Sequence, residues 1–91
     1  MLYYCMYKVE FTSSAFKALR GLSDEVGIRI RRAIKTLAND PHHYRGVTTI
    51  QGGPKNRFRI RVGDYRIVFD RDDKIRILLI LRIGHRREVY R

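Results

Sequence analysis

The sequence predicts an α+β domain, with two N-terminal helices packed on one face of a small, mostly antiparallel four-stranded sheet. Three observations support this fold. Residues 57–70, RFRIRVGDYRIVFD, alternate apolar and charged side chains around a Gly-Asp pair, as β-hairpins do. Two stretches before them have apolar residues at helical spacing, and residues 75–84 after them are mostly Ile, Leu and Arg. At 91 residues the chain (1–91) should form a single domain with one core.

The first predicted strand covers residues 3–11, which are rich in aromatic and β-branched side chains, with Tyr7, Val9 and Phe11 on one face. A short helix should follow and end near Gly21. Its candidate N-caps are Thr12, Ser13 and Ser14, and its apolar positions are Ala15, Ala18, Leu19 and Leu22.

A second helix should begin after Ser23, because a capping hydroxyl is followed by two acidic residues in the first turn. Pro41 prevents its continuation. Its apolar stripe is Val26, Ile30, Ala33, Ile34 and Leu37. Residues 42–56 read as a loop in which residues 47–50 form a short extended piece.

Gly63 and Asp64 suit a type II′ hairpin turn, and that turn fixes the pairing of the two strands. The predicted core pairs are Val62–Tyr65, Ile60–Ile67 and Phe58–Phe69. The pairs on the other face are Arg61–Arg66, Arg59–Val68 and Arg57–Asp70.

For the last strand we expect Ile77, Leu79 and Leu81 to lie beside Phe69, Ile67 and Tyr65 in the core. The other face would then pair Asp70–Arg76, Val68–Leu78 and Arg66–Ile80, with Val68, Leu78 and Ile80 forming an apolar floor. Residues 71–74 should form the connecting turn, with Asp70, Asp72 and Asp73 solvating it. The end of this strand should lie beside Arg66.

The formal charge of +11 predicts a polyanionic partner: nucleic acid, an acidic protein or an anionic membrane surface. No apolar run reaches the ~18 residues of a membrane span, and the start of the chain lacks the features of a secretory signal. The sequence therefore predicts a cytoplasmic protein. A single cysteine, Cys5, fits that compartment and reads as a small strand residue.

The pairing of Arg61 with Arg66 is a candidate binding feature, because like charges directly opposite each other destabilise a sheet. A phosphate held between the two guanidinium groups would compensate, although both could also splay into solvent. Gly84 would let the chain bend and bring His85, Arg86 and Tyr90 to this pair. The alternative is that the basic tail is only solvated.

Other chemistries find little support in the sequence. His42 and His43 are adjacent, which is a poor spacing for shared metal ligation, so we expect no metal site. Ser13 and Ser14 are better explained as caps than as nucleophiles. Gly52 and Gly53 do not open a helix as a phosphate-binding loop would.

The order strand, helix, helix, basic hairpin, apolar strand and terminal GHRREVY resembles the RelE/ParE superfamily of toxins from bacterial and archaeal toxin–antitoxin pairs. The likeness covers essentially the whole chain and rests on the GDYR and HRREVY segments. It is closer to the RelE ribonucleases than to the ParE gyrase poisons, because the basic hairpin and the terminal HR…Y are present.

The resemblance implies a ribosome-dependent endoribonuclease that cuts messenger RNA in the A site, needs no cofactor and is held inactive by an antitoxin. By position, Arg59 and Arg61 match basic residues that contact the scissile region, and Arg66 matches the arginine that stabilises charge on the phosphate. Arg86 matches a terminal arginine of the phosphate or leaving-group chemistry, and Tyr90 an aromatic residue near the nucleotide. Further RNA contacts are expected from Lys55, Arg57, Arg82 and Arg87.

The chain departs from RelE, which has lysines at the positions of Arg59 and Arg61. Because arginine stays protonated and is a poor base, His85 is the natural proton acceptor. Two other functions remain open: a ParE-type gyrase inhibitor without nuclease activity, and a module that binds nucleic acid nonspecifically through phosphates.

Overall fold

A computed structural model describes residues 6–85 of the chain. Its elements are β1 (Lys8–Phe11), α1 (Ser13–Arg20), α2 (Asp24–Asn39), β2 (Thr48–Thr49), β3 (Arg57–Val62), β4 (Tyr65–Asp72) and β5 (Ile77–His85). The strands form one sheet in the order β1-β5-β4-β3-β2. The predicted α+β fold is confirmed. The sheet has five strands rather than four, because Thr48 and Thr49 of the extended piece pair with β3 at the sheet edge.

Both helices begin where the sequence predicts them. The Thr12 hydroxyl accepts a hydrogen bond from the Ala15 amide at 3.1 Å and caps α1, while the Ser23 hydroxyl caps α2 through the Val26 amide. Thr12 also donates to the Leu81 carbonyl at 2.9 Å and so ties the start of α1 to β5. Within residues 6–85, neither α1 nor α2 has the length and apolar composition of a membrane-spanning helix.

The core lies between the helices and one face of the sheet. Its largest side chains with essentially no exposure are Phe69, Ile30, Leu37, Ile60, Ile67, Leu78 and Ile80. Tyr7 is buried with them, and Val9 and Phe11 pack against the same cluster, as the predicted face of the first strand requires. The first and last of the five strands are neighbours, since β1 pairs in parallel with β5 from Lys8–Ile77 to Phe11–Ile80.

The hairpin register is confirmed at every predicted pair, from Val62–Tyr65 to Arg57–Asp70. Gly63 has a φ of +58°, and Asp64 is not among the residues with positive φ, as a type II′ turn requires. A Cβ at Gly63 would also lie 3.2 Å from a terminal nitrogen of Arg29, which reaches the turn from α2.

The predicted register of β5 is wrong. Arg66 pairs with Gly84 and Val68 with Arg82, but Phe69 pairs with Ile80, so Leu81 is an extra residue in a β-bulge. A one-residue bulge exchanges the two faces of the strand beyond it. The buried apolar side chains of β5 are therefore Leu78, Ile80 and Ile83 rather than Ile77, Leu79 and Leu81. The predicted apolar floor is wrong for the same reason, because Leu78 and Ile80 belong to the core.

The turn between β4 and β5 also begins later than predicted. β4 continues to Asp72, supported by a bond from the Arg71 amide to the Asn56 carbonyl at 2.9 Å. The Asp72 carboxylate then accepts bonds from the amides of Lys74 and Ile75 and shapes the turn. β5 begins at Ile77 rather than at residue 75.

Asp73 connects distant parts of the chain instead of only solvating the turn. Its Oδ1 accepts a hydrogen bond from the Tyr7 hydroxyl at 2.8 Å and lies 2.9 Å from Nε of Arg71. His42 Nε2 is 3.4 Å from the same oxygen. Burial raises the pKa of Asp73, but the Tyr7 hydrogen bond and the charges of Arg71 and His42 outweigh burial, so its pKa lies below the ordinary value.

We expect the stabilisation from Asp73 to depend on pH. A depressed carboxyl pKa stabilises the fold above the unfolded-state value of about 3.9, and this contribution is lost as the pH falls through the lower folded-state pKa. Because 49% of the Asp73 side chain is exposed, screening limits the effect to at most about 1 kcal/mol. Urea unfolding should show that the wild type has a higher free energy of unfolding than Asp73→Asn above pH 5, and that the difference between the two is smaller below pH 4. An equal difference at pH 3 and pH 7 would rule out the carboxylate charge as its source.

Candidate functional site

The candidate site lies on the sheet face opposite the core, where β4, β3 and β2 run side by side. Because paired residues share a face, the register places Arg61 beside Arg66 and aligns Thr48, Arg59, Val68 and Arg82 in the next row. The basic face predicted from the hairpin is therefore present.

A concave site of about 280 Å³, here called the arginine pocket, opens on this face. It is lined by Gly46, Thr48, Arg59, Ile60, Arg61 and Arg66. None of these lining residues carries a carboxylate. Three guanidinium groups around one concave surface create a strongly positive potential, which favours an anion such as a phosphate.

The paired arginines Arg61 and Arg66 differ in their environment. Arg61 is exposed, whereas only 4% of the surface of Arg66 is exposed. Among residues 6–85, Arg66 is the one charged residue that is buried. Arginine is rarely buried this deeply. A buried guanidinium group interacts more strongly with an anion in the pocket than a solvent-exposed guanidinium group does, because the dielectric around the buried group is lower.

The other predicted RNA-binding arginines on this face are placed differently. Arg57 is held by Asp70 through two bonds, Nε–Oδ1 at 2.7 Å and Nη2–Oδ2 at 3.1 Å. The hydrogen bond from Arg57 to Asp70 raises the pKa of the arginine. Phosphate binding by Arg57 would require breaking the pair. Arg59 and Arg61, by contrast, have no acidic side chain of residues 6–85 within ion-pair distance.

Two further predicted contacts lie at the margins of the face. Arg82 is exposed on β5, opposite Val68, and Lys55 is exposed just before β3, at the far end of that strand from Arg61. Arg86, Arg87 and Tyr90 lie outside the described residues.

His85 lies at the same end of the sheet as Arg66, as predicted, because Arg66 pairs with Gly84. His85 nevertheless lies on the opposite face of the sheet from Arg66, because it shares the helix-covered face with Ile83 and Tyr65. The imidazole packs edge-on against the Tyr65 ring, with ring centroids 5.4 Å apart and an interplanar angle of 81°. The strand register thus brings the histidine next to the arginine pocket without placing it inside.

Sequence reasoning missed the contribution of Gly46 and Thr48 to the arginine pocket. Thr48 faces the pocket because it pairs with Arg59. The short run of β-branched residues at 47–50 predicted an extended piece, but two paired residues are too few to show which strand they join.

Comparison with known proteins gives one family and a consistent set of structures. The profile of the family described as ParE toxin of the type II toxin–antitoxin system parDE matches residues 9–90. No curated protein sequence matches the chain.

Three solved structures illustrate the structural likeness. The toxin–antitoxin complex RelBE2 from Mycobacterium tuberculosis contains a chain similar at 25% identity and a TM-score of 0.78, covering 91% of this chain and 94% of that one. A chain of the archaeal RelE–RelB complex from Pyrococcus horikoshii is 25% identical with a TM-score of 0.75, and the match covers 89% of this chain and 96% of that one. A chain of the RelB–RelE antitoxin–toxin complex from Methanococcus jannaschii is 26% identical with a TM-score of 0.70, and the match covers 89% of this chain and 94% of that one.

The profile match over most of the sequence and the shared fold agree with the resemblance predicted from the GDYR and HRREVY segments. The chain therefore belongs to the ParE toxin family, within the RelE/ParE superfamily, and is a toxin of a type II toxin–antitoxin system.

Proposed function

We propose that this toxin is a ribosome-dependent endoribonuclease that cleaves messenger RNA in the A site. The observation that carries the proposal is the arginine pocket, in which buried Arg66 and exposed Arg61 lie side by side across the hairpin. Two or three preorganised cations suit a phosphodiester that gains negative charge during cleavage.

The proposed reaction uses the 2′-hydroxyl of the RNA as the nucleophile. The 2′-oxygen forms a bond to the adjacent phosphorus while the bond from phosphorus to the 5′-oxygen breaks, giving a 2′,3′-cyclic phosphate and a 5′-hydroxyl. Arg61 and Arg66 hold the pentacovalent anion. His85 takes the proton of the 2′-hydroxyl, and the departing 5′-oxygen takes up a proton with the assistance of Arg86 or a protonated histidine.

Such a site has few groups for acid–base chemistry, so the orientation of the RNA must supply much of the rate enhancement. A ribosome that holds the message in one conformation would provide this orientation. Tyr90 would stack on or orient a base.

His85 can take part only if its imidazole turns from Tyr65 toward the arginine pocket. Gly84, directly opposite Arg66, has no side chain to obstruct this movement. We expect His85→Ala to lower cleavage about 10²-fold, within the range of a lost general base. Primer extension on a message translated with purified variants measures the effect, with His43→Ala, exposed in the loop after α2, as the control. Wild-type cleavage by His85→Ala would assign the proton transfer to another group.

A second candidate is inhibition of DNA gyrase, which the resemblance to ParE toxins implies and which the match to the ParE toxin family favours. Brief induction in growing cells distinguishes the two functions. Message ends mapped within translated codons support the nuclease, whereas gyrase-linked DNA breaks with intact messages would replace it with the gyrase inhibitor. Salt-sensitive RNA binding without either product would indicate a nonspecific module.

We further propose a cognate antitoxin as the partner, as in the similar RelB–RelE complexes. An apolar groove between β1 and α2, lined by Val9, Phe11 and Ile34, is bordered by Arg31 and Lys35. An amphipathic segment with acidic residues beside its apolar face would fit this groove. Co-expression and co-purification with the product of the neighbouring gene test this partner.

A further inference from the structure

The arginine pocket continues into a second concave site on β2. This site, here called the β2 pocket, has a volume of about 590 Å³ and is lined by Thr48, Thr49, Ile50, Gln51 and Arg59. Thr48 and Arg59 line both pockets. The two pockets therefore form one groove, which starts at Arg66 on β4 and crosses two strand spacings, about 10 Å, to β2.

The chemistry changes along this groove. The arginine pocket offers guanidinium groups, whereas the β2 pocket beyond Arg59 offers two threonine hydroxyls, the Gln51 amide and the apolar side chain of Ile50. Cations bind phosphates without reading sequence, and neutral donors and acceptors such as Gln read the edges of bases. In single-stranded RNA the unstacked bases expose these edges. The groove thus presents a phosphate-binding part followed by a base-binding part.

The backbone holds the base-binding part in place. Thr48 is paired with Arg59 in the sheet, and the Gly53 amide bonds to the Ile50 carbonyl at 3.1 Å, closing the turn that contains Gln51. On the arginine-pocket side of β2, Gly46 has a φ of +89°, a conformation that L side chains rarely adopt. Positions fixed in this way can discriminate between bases, because a flexible loop would adapt to all of them.

We propose that the β2 pocket binds the nucleotide next to the scissile phosphate and that Thr48 and Gln51 select its base. This inference rests on the proposed nuclease function. The phosphate lies in the arginine pocket, Arg59 marks the boundary, and the base enters the β2 pocket against Ile50.

The test compares four messages that differ only in the base next to one mapped cleavage position, translated with purified toxin. We expect the wild type to favour one base by at least about 5-fold, and Thr48→Val and Gln51→Ala to reduce that ratio toward 1. Thr36→Val, an exposed threonine on α2, is the matched control and should retain the wild-type ratio. Retention of that ratio by both β2-pocket variants would overturn the inference.

A second measurement separates failure of this inference from failure of the nuclease assignment. Single-stranded RNA tetranucleotides, one for each base, are titrated into the wild type while backbone amide resonances are followed by NMR. Base-dependent shifts at Thr48 and Gln51 support the inference even if no message is cleaved. Shifts that are the same for all four RNAs, or absent at these two residues, contradict it whatever the cleavage result.

Discussion

Replacing Arg66 with alanine is expected to lower the rate of message cleavage by about 10²- to 10³-fold, the usual effect of removing one preorganised donor to a developing anion. Arg66 should contribute more than Arg61, because it is buried in the wall of the arginine pocket while Arg61 is solvated. Arg66→Lys should recover only part of the rate, since lysine keeps the charge but loses the planar fork that matches phosphate. The rate is measured in a purified translation system programmed with one message.

Two controls make this result specific. Arg32→Ala removes the same charge from an exposed position on α2 and should leave cleavage within about 2-fold of the wild type, because salt screens an exposed charge outside the pocket. Thermal unfolding of Arg66→Ala shows whether the buried position is also needed for stability. A folded Arg66→Ala protein that cleaves at the wild-type rate would remove the central residue of the proposed mechanism.

Replacing Phe69 with alanine is expected to lower the free energy of unfolding by about 3–5 kcal/mol. Phe69 has no exposed surface, and its ring lies 5.8 Å from that of Phe58, its partner on β3. It also pairs with Ile80 immediately beside the bulge in β5. For a domain of this size the total stability is about 5–15 kcal/mol, so the expected loss is a large fraction of it.

Phe16→Ala is the matched control for this prediction. Phe16 lies on α1 with 49% of its surface exposed, so its removal should cost about 1 kcal/mol or less. Urea denaturation followed by far-ultraviolet circular dichroism measures both variants. Equal losses for Phe16 and Phe69 would contradict the placement of Phe69 in the core.

The hairpin could be predicted from sequence because its information is local. Gly63 and Asp64 specify the turn, the turn specifies the register, and the alternation of apolar and charged residues identifies the two faces. The pairing of Arg61 with Arg66 follows directly. The helix starts at Thr12 and Ser23 are local in the same way, since each cap acts within three residues.

The register of β5 could not be predicted, because residues 77–81 are all Ile or Leu and carry no alternation. The bulge at Leu81 lies at the point where the Thr12 side chain bonds to its carbonyl, a contact between residues 69 apart in sequence. The link between Tyr7 and Asp73 spans 66 residues and was missed for the same reason. Contacts of this range depend on the assembled fold, and the position of His85 on β5 depends on them.

The parallel pairing of β1 with β5 also bears on biosynthesis. During synthesis β1 is made first, but it can pair only after β5 has been made. Arg66 on β4 likewise gains its pairing partner Gly84 only when β5 has formed. Contacts this distant slow folding, because a long loop must close before they form. Until β5 has been synthesised, a nascent polypeptide therefore has an incomplete sheet, in which Arg66 lacks its neighbour on that side.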